Sequence, residues 1–257
     1  MEGSPGDRIR QVVSRCDVCI VDLDQCVYPR FTQTALGRLL LYRSLFPGNR
    51  DLFPQLLAGA FFITRIRTGQ IFGRHPSNYM LMAAFDRVIR GMPMELVEEC
   101  SSRLPMTGPQ DWRIALRAIS TMMDVHLLTF SIDPVAGAYG GTRDFTGRTI
   151  FRGWRGTPLT VNGGIIDKVI FSPRSLSPEA KLEAMEEIMT AGGFQRPLII
   201  GHGQDESPMA GRARGLGGGS LGFSKAGGTV EEFDLILPGD AWKTIASGLT
   251  RFIHKSG

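Results

Sequence analysis

Two carboxylates separated by one residue follow an apolar run near the start of the chain. Residues 18–21 read V-C-I-V, and Asp22 and Asp24 come directly after them. If Asp22 ends a buried strand and Asp24 lies in the loop beyond it, both can face the crevice where open α/β sheets bind ligands. Carboxylates this close repel each other unless a cation lies between them or one is protonated. The pair predicts a site for a hard divalent cation, most simply Mg²⁺; the plainer interpretation is a surface turn.

A second strand ends in two hydroxyl side chains. Residues 125–131 read V-H-L-L-T-F-S, a pattern typical of a buried strand. Thr129 and Ser131 are two residues apart and therefore point to the same face of that strand. On its own, a strand that ends in a hydroxyl residue does not indicate a function.

A lysine stands where a helix would not favour it. Ser177 and Pro178 are typical of a helix start, which places Lys181 in the first turn. An unpaired cation there opposes the helix dipole. A nearby phosphoryl group or the Asp22 carboxylate would account for the position; the plain alternative is a solvent-facing lysine.

An acidic loop follows another apolar run. Residues 198–200 predict a strand, and the chain continues through Gly201 as G-H-G-Q-D-E-S-P-M. Asp205 and Glu206 could bring two further carboxylates to the same sheet edge, with His202 beside them.

In order along the chain, these four segments resemble the motifs of the haloacid dehalogenase superfamily. The first resembles hhhhDxDxT, where h is a hydrophobic residue, and the second resembles a strand ending in Ser or Thr. The third resembles the Lys or Arg that stabilises the anionic transition state in this family, and the fourth resembles G-D-x-x-x-D. The string G-T-P-L-T-V-N-G-G-I-I at residues 156–166 resembles the hairpin of phosphoserine phosphatase-like members. We therefore identify the chain as resembling that branch over nearly its whole length.

The resemblance implies a role for each matching residue. Asp22 would attack phosphorus and form an aspartyl phosphate, and Asp24 would protonate the leaving group and then activate water. Ser131, favoured over Thr129, and Lys181 would hold the transferring phosphoryl oxygens. The implied ligands of Mg²⁺ are Asp22, Asp24, Asp205 and Glu206.

The fourth motif departs from the family pattern. His202 stands where the first Asp, normally a direct Mg²⁺ ligand, is expected, and neutral imidazole is a poor ligand for that ion. Either the loop shifts so that Asp205 and Glu206 reach the metal, or metal binding is weakened or altered. Cys26 also replaces the usual Thr or Val of the first motif, at a position without a chemical role.

Between the first and second strands the apolar spacing is helical. Plausible N-caps are Thr34, Asp51 and Ser77. Together with the resemblance, this predicts an α/β Rossmann-like three-layer core with a mainly parallel sheet, residues 1–30 and 109–257, and an inserted all-helical cap, residues 31–108. Such a lid closes over the site and selects the substrate. One loop of this cap contains several cationic side chains, which either contact the substrate or form a solvated basic face: Arg65, Arg67, Arg74 and His75.

Composition narrows the class of protein. The chain has 257 residues, 42% of them hydrophobic, and a net charge of +4. No apolar run approaches the roughly 20 residues that span a bilayer, and no signal peptide is visible. The charges are scattered, without the basic run that indicates nucleic-acid binding. We expect a cytoplasmic protein with neither membrane nor nucleic acid as a partner, and free thiols rather than a zinc site at Cys16 and Cys19.

The expected activity is Mg²⁺-dependent hydrolysis of a small phosphorylated metabolite. One alternative on the same core is phosphotransfer to a second acceptor; dehalogenation is disfavoured because halide needs no proton from Asp24. Another is a catalytically weakened protein that binds a phosphorylated ligand or a protein partner, which His202 keeps open. The sequence leaves the substrate and the oligomeric state undetermined.

Overall fold

The computed structural model describes residues 4–61, 77–144, 146–224, 232–238 and 241–253. Six parallel strands form one sheet in the order β3-β2-β1-β6-β7-β8, and two antiparallel strands form a hairpin, β4-β5. The strands are β1 (Val18–Val21), β2 (Asp124–Ile132), β3 (Gly153–Thr157), β4 (Leu159–Asn162), β5 (Ile165–Val169), β6 (Pro197–Gly201), β7 (Gly219–Ser224) and β8 (Leu235–Pro238).

Helices precede, connect and cover these strands. They are α1 (Pro5–Val13), α2 (Thr32–Ser44), α3 (residues 53–61), α4 (Asn78–Ile89), α5 (Met94–Arg103), α6 (Asp111–Ser120), α7 (Asp133–Gly140), α8 (Pro178–Gly192), α9 (Ser207–Gly215) and α10 (Trp242–Ile253). None of these helices, within the described part of the chain, combines the length and hydropathy needed to cross a bilayer.

The central strand β1 is buried on both faces, as expected for a strand between two helical layers. Val18 and Ile20 pack with the apolar side chains of α8 and α9. Cys19 and Val21 point to the opposite face, which α1, α6 and α10 cover. This three-layer arrangement around a parallel sheet confirms the predicted Rossmann-like fold class, and Cys16 and Cys19 are free thiols.

In its described residues, the chain between β1 and β2 consists of helices joined by turns and loops, with isolated bridges between Asp24 and Tyr28 and between Pro93 and Ile165. The β4-β5 hairpin is hydrogen-bonded to this insertion through backbone groups. Gly91 N–H donates to Ile166 O (2.8 Å), and Ile166 N–H donates to Met92 O (2.9 Å). The Asp86 carboxylate of α4 also accepts from Val169 N–H (2.7 Å). The division into core and cap stays a prediction, and its cationic loop, residues 65–75, lies outside the described residues.

Several local boundaries differ from the sequence prediction. Ser77 is the N-cap of α4, as expected, with its hydroxyl accepting from Met80 N–H. Thr34 instead lies inside α2, which begins two residues earlier, and Asp51 lies within a 3-10 turn. Strand β3 begins only at Gly153, and the two apolar residues in the loop before it, Ile150 and Phe151, are buried, with Phe151 against Trp112.

Candidate active site

The segments that follow β1, β2 and β6 meet at the carboxyl edge of the sheet. These strands are neighbours, so their ends lie side by side. A cavity of about 190 Å³ opens there. Its chemically active lining residues are Asp22, Asp24, Thr129, Lys181, His202 and Asp205. Six residues singled out by the sequence thus line one cavity.

Lys181 joins two carboxylates behind this cavity. Its Nζ donates to Asp22 Oδ1 (2.8 Å) and to Glu206 Oε1, and it lies 4.6 Å from the centre of the Phe130 ring. Only 3% of Lys181 and 4% of Asp22 are exposed, and Glu206 is fully buried. The three side chains form a closed ion-pair network, so the lysine at the start of α8 has its counter-charges.

Burial and charge act in opposite directions in this network. Burial alone would raise the pKa of Asp22, but the Lys181 ammonium and the nearby His202 lower it overall. Burial would lower the pKa of Lys181, and the charges of Asp22 and Glu206 raise it above its usual value. Burial also raises the pKa of Glu206, and there it prevails over the Lys181 charge. Asp22 is therefore the carboxylate kept ionised, as a nucleophile requires.

The position of Glu206 depends on the glycine that ends β6. Glu206 Oε2 accepts from Gly203 N–H (3.0 Å) and from His202 N–H (3.3 Å). A Cβ on Gly201 would lie 2.5 Å from Glu206 Cγ, which is closer than side-chain contacts allow. A glycine at this position therefore lets the carboxylate fold back under the loop and reach Lys181.

Asp24 occupies a different environment in the same loop. Its carboxylate accepts from the Thr32 N–H at the start of α2 and from Ser131 Oγ (2.8 Å). Burial raises its pKa to about 6; the nearby Asp22 charge adds to this rise, while the Thr32 and Ser131 hydrogen bonds oppose it. Gln25, at φ 60°, turns the chain immediately afterwards. Asp24 therefore titrates near neutral pH, which is suitable for an acid and base in turn.

The two hydroxyls at the end of β2 take different places. Thr129 lines the cavity, and its Oγ1 accepts from Ser131 N–H (3.0 Å). Ser131 is fully buried and hydrogen-bonds Asp24 and the Thr32 hydroxyl instead. The role of Ser131 in binding phosphoryl oxygens stays a prediction, and Thr129 has the more direct access to the cavity.

Among the described residues, one group of possible metal ligands lies close enough to share an ion: Asp22, His202 and Glu206, with donor atoms within 4.8 Å of one another. The predicted ligands Asp24 and Asp205 are not part of it. Asp205 Oδ2 accepts instead from the Asn78 amide (2.9 Å).

The donors in this cluster do not fit the predicted all-oxygen Mg²⁺ site. One of the three is an imidazole nitrogen, and Lys181 already occupies an oxygen of each carboxylate. His202 Nδ1 is buried and unpartnered, 3.3 Å from Asp22 Oδ2 and 3.7 Å from Glu206 Oε2. The cluster could hold a cation, but not with the ligands that Mg²⁺ prefers.

Sequence reasoning missed two residues of the site. Thr32 is fully buried and contacts both Asp24 and Ser131, and Asn78 joins the start of α4 to the loop after β6. The first could have been suspected, because the N–H groups at a helix start attract a carboxylate. No feature of the sequence marked Asn78, because it lies 127 residues from Asp205 along the chain and only the fold brings the two together.

A larger cavity of about 560 Å³ lies on the other side of Gln25, between Trp112, Phe223 and Trp242. Its lining is mostly apolar and includes neither Asp22 nor Asp24. We therefore place the candidate active site in the smaller cavity, where the ionisable groups converge.

No protein-family model matches this sequence, and no curated protein matches it either. Solved structures do match its fold. A phosphoserine phosphatase with a phospho-aspartyl intermediate analogue is 15% identical, over 87% of this chain and 93% of that one, with a TM-score of 0.57. Cytosolic 5′-nucleotidase IIIB bound to cytidine is 11% identical, over 98% and 90%, with a TM-score of 0.63.

A third match is a HAD (haloacid dehalogenase) family hydrolase of Salmonella enterica, 11% identical over 86% of this chain and 66% of that one, with a TM-score of 0.58. The chain therefore shares its fold with these phosphatases and this hydrolase. At these identities the similarity concerns the fold, and the chemistry has to be argued from the residues in the cavity.

Proposed function

We propose that this protein hydrolyses a phosphomonoester, with Asp22 as the nucleophile. The observation that supports this most directly is the buried pair of Asp22 and Lys181 with Asp24 two residues away, all three at one cavity. An ionised carboxylate beside a fixed cation, and a second carboxyl that titrates near neutrality, are the groups that this reaction needs.

The steps follow from these groups. A carboxylate oxygen of Asp22 attacks phosphorus, and the bond from phosphorus to the leaving oxygen breaks as Asp24 gives that oxygen its proton. Lys181 balances the negative charge of the phosphoryl group during transfer, and the Thr129 hydroxyl donates to one of its oxygens. Asp24 then takes a proton from water, which attacks the aspartyl phosphate and releases inorganic phosphate and Asp22.

The cavity favours a small, polar substrate. Its volume of about 190 Å³ lies below the roughly 300–1,000 Å³ typical of drug-sized ligands. Besides the catalytic groups, the cavity is lined by the amides of Gln25, Gln33 and Asn78 and by four apolar side chains, Phe31, Leu81, Met82 and Phe130. We infer that the helices of residues 31–108 act as a cap, that these amides recognise hydroxyl, amino or carboxylate groups of the leaving alcohol, and that neither nucleic acid nor membrane is a partner.

The proposal is tested by phosphate release from a panel of small phosphomonoesters, without added metal and with Mg²⁺ or Mn²⁺. The parent is compared with Asp22→Asn and with the control Asp167→Asn, an exposed carboxylate of the hairpin. We expect release by the parent and by Asp167→Asn, and loss of at least about 10³-fold in Asp22→Asn, because the nucleophile is removed.

Release that persists in Asp22→Asn would contradict the proposed nucleophile. No release from any ester by the parent, combined with binding of phosphate or a phosphate ester, would favour the alternative of a binding protein. The Mg²⁺ arm tests the cofactor predicted from the sequence.

A further inference from the structure

The donor set at the candidate site contains a ligand that the predicted metal would not select. His202 Nδ1 is buried and makes no hydrogen bond, although two carboxylates lie within 4 Å of it. Buried polar atoms in folded proteins nearly always have a partner, and the groups that face this nitrogen are the carboxylates of Asp22 and Glu206.

The loop itself directs this nitrogen towards the cavity. His202 follows the end of β6, and its N–H is held by Glu206 Oε2. Its side chain is only 16% exposed and lines the same cavity as Asp22. The ring therefore faces the two carboxylates, and little of it is exposed to solvent.

The geometry matches neighbouring ligands around one ion. For metal–ligand bonds near 2.1 Å, donors in a tetrahedral or octahedral shell lie about 3.0–3.4 Å apart. The separation of 3.3 Å between His202 Nδ1 and Asp22 Oδ2 falls in this range. Glu206 Oε2, 3.7 Å from the same nitrogen, would have to turn away from the backbone N–H groups it accepts from in order to join them.

The charges leave a place for a cation. Lys181 binds Asp22 Oδ1 and Glu206 Oε1, which leaves Asp22 Oδ2 on the side of His202. Glu206 Oε2 also lies on that side, where it accepts from the N–H groups of His202 and Gly203. Two carboxylates and one ammonium carry a net charge of about −1, and a divalent ion would reverse that sign before a phosphate dianion arrives. The cation therefore has two facing ligand atoms, Asp22 Oδ2 and His202 Nδ1, and an electrostatic reason to bind.

We propose that this centre selects a first-row transition-metal ion over Mg²⁺, with His202 Nδ1 as the ligand that sets the preference. Imidazole suits Zn²⁺ and other late ions of the series, whereas Mg²⁺ demands oxygen ligands. The order of affinity is Zn²⁺, then Mn²⁺, then Mg²⁺. The metal would act in catalysis only if the proposed hydrolysis is correct, and in that respect the inference rests on the proposed function.

The test measures binding without turnover, on full-length metal-free protein. Zn²⁺ affinity is measured by competition with a chromophoric chelator, Mn²⁺ by electron paramagnetic resonance, and Mg²⁺ by calorimetry. In His202→Asp we expect Zn²⁺ affinity to fall and Mg²⁺ affinity to rise, each at least about tenfold, because a carboxylate replaces the imidazole. The matched control is His126→Gln, a histidine near the start of β2 and therefore at the opposite edge of the sheet from the site. We expect this variant to keep the order of metal affinities of the parent.

A spectroscopic signature separates ligation from a general effect on the fold. Bound Mn²⁺ in the parent and in His126→Gln should show hyperfine coupling to an imidazole nitrogen, and His202→Asp should lack it. Thermal unfolding of each metal-free variant checks that all of them fold.

Two results would overturn the metal preference: Mg²⁺ binding to the parent as tightly as to folded His202→Asp, or Mn²⁺ bound without nitrogen coupling. If His202→Asp did not fold, the absence of nitrogen coupling in the parent would still decide against the metal preference. A parent that binds Zn²⁺ through His202 yet hydrolyses no ester would sink the proposed function and leave the metal preference standing.

Discussion

Asp22 and Asp24 lie two residues apart, yet the pKa values of their carboxyl groups move in opposite directions. Burial raises both, but at Asp22 the ammonium of Lys181 and the contact with His202 outweigh it. Asp24 has only neutral donors, Thr32 and Ser131, and its pKa rises to about 6. Two carboxyl groups whose surroundings separate their pKa values can take separate roles, one as nucleophile and one as acid and base.

If Asp24 protonates the leaving oxygen, its removal should matter most for leaving groups that need a proton. In Asp24→Asn we expect kcat/KM for an alkyl phosphate to fall by about 10²–10⁴-fold, the usual contribution of a general acid. For p-nitrophenyl phosphate, whose leaving group departs as a stable anion, the loss should be less than about tenfold. Steady-state kinetics on both esters measure the difference.

The second half of the reaction gives an internal control for this variant. Without Asp24 as base, hydrolysis of the aspartyl phosphate slows, so rapid mixing with p-nitrophenyl phosphate should show a burst of nitrophenol followed by slow turnover. Equal losses on both esters, without a burst, would indicate that Asp24 only supports the shape of the loop.

At this scale the sequence indicated the charged residues but not their partners. Lys181 could be predicted because a cation in the first turn of α8 needs a counter-charge, and the structure supplies Asp22 and Glu206. The contact of Ser131 with Asp24 could not be predicted, since alternation along β2 places Thr129 and Ser131 on the same face. Which of them reaches the cavity depends on the packing of α2.

At the scale of elements, the start of α4 connects the helical insertion to the catalytic edge. The Ser77 hydroxyl caps the helix by accepting from Met80 N–H, whereas the next residue, Asn78, donates to Asp205 across the cavity. Asp205 was predicted as a metal ligand, and its present partner instead suggests that it links the two parts of the chain. Of these two adjacent residues, Ser77 stabilises the helix start and Asn78 joins it to the loop after β6.

These neighbours allow a paired prediction. Asn78→Leu keeps the size of the side chain but removes the donor, and we expect KM to rise about fivefold, the factor given by about 1 kcal/mol, with little change in Tm. Ser77→Ala should lower stability by about 1 kcal/mol through loss of the cap and leave KM unchanged. Kinetics and thermal unfolding on both variants provide the comparison.

The pairing also shows how the prediction can fail. If Ser77→Ala raised KM as much as Asn78→Leu, general loosening of α4 would explain both, and the contact between Asn78 and Asp205 would have no separate role in binding.

For the whole molecule, the apolar strands predicted a parallel sheet but not the order β3-β2-β1-β6-β7-β8. Strands such as residues 18–21 and 198–200 have equivalent apolar patterns, so the order is set by the paths of the connecting helices. The contact between the hairpin and residues 91–94 was equally invisible, because backbone hydrogen bonds such as Gly91 N–H to Ile166 O leave no pattern in the sequence.

The connection from β6 through α9 to β7 tests how tightly these paths are fixed. After α9, Gly217 has φ 74°, and a Cβ on Gly218 would lie 2.2 Å from Pro197 O and 3.1 Å from Ala213 O. Both contacts are with backbone atoms, which cannot rotate away. Gly218 therefore brings the end of α9 against the first residue of β6, whose other end carries the loop of His202 and Glu206.

We expect Gly218→Ala to lower the free energy of unfolding by about 2–3 kcal/mol, the cost of forcing an extra carbon into a packed core. Gly211→Ala is the matched control: it lies within α9, where an added Cβ meets nothing within 4 Å, and should stabilise the protein by about 0.5–1 kcal/mol. Urea unfolding at unchanged m-value measures both. Equal stability of the two variants would mean that the turn can move away from Pro197, and that the position of the catalytic loop does not depend on this close approach.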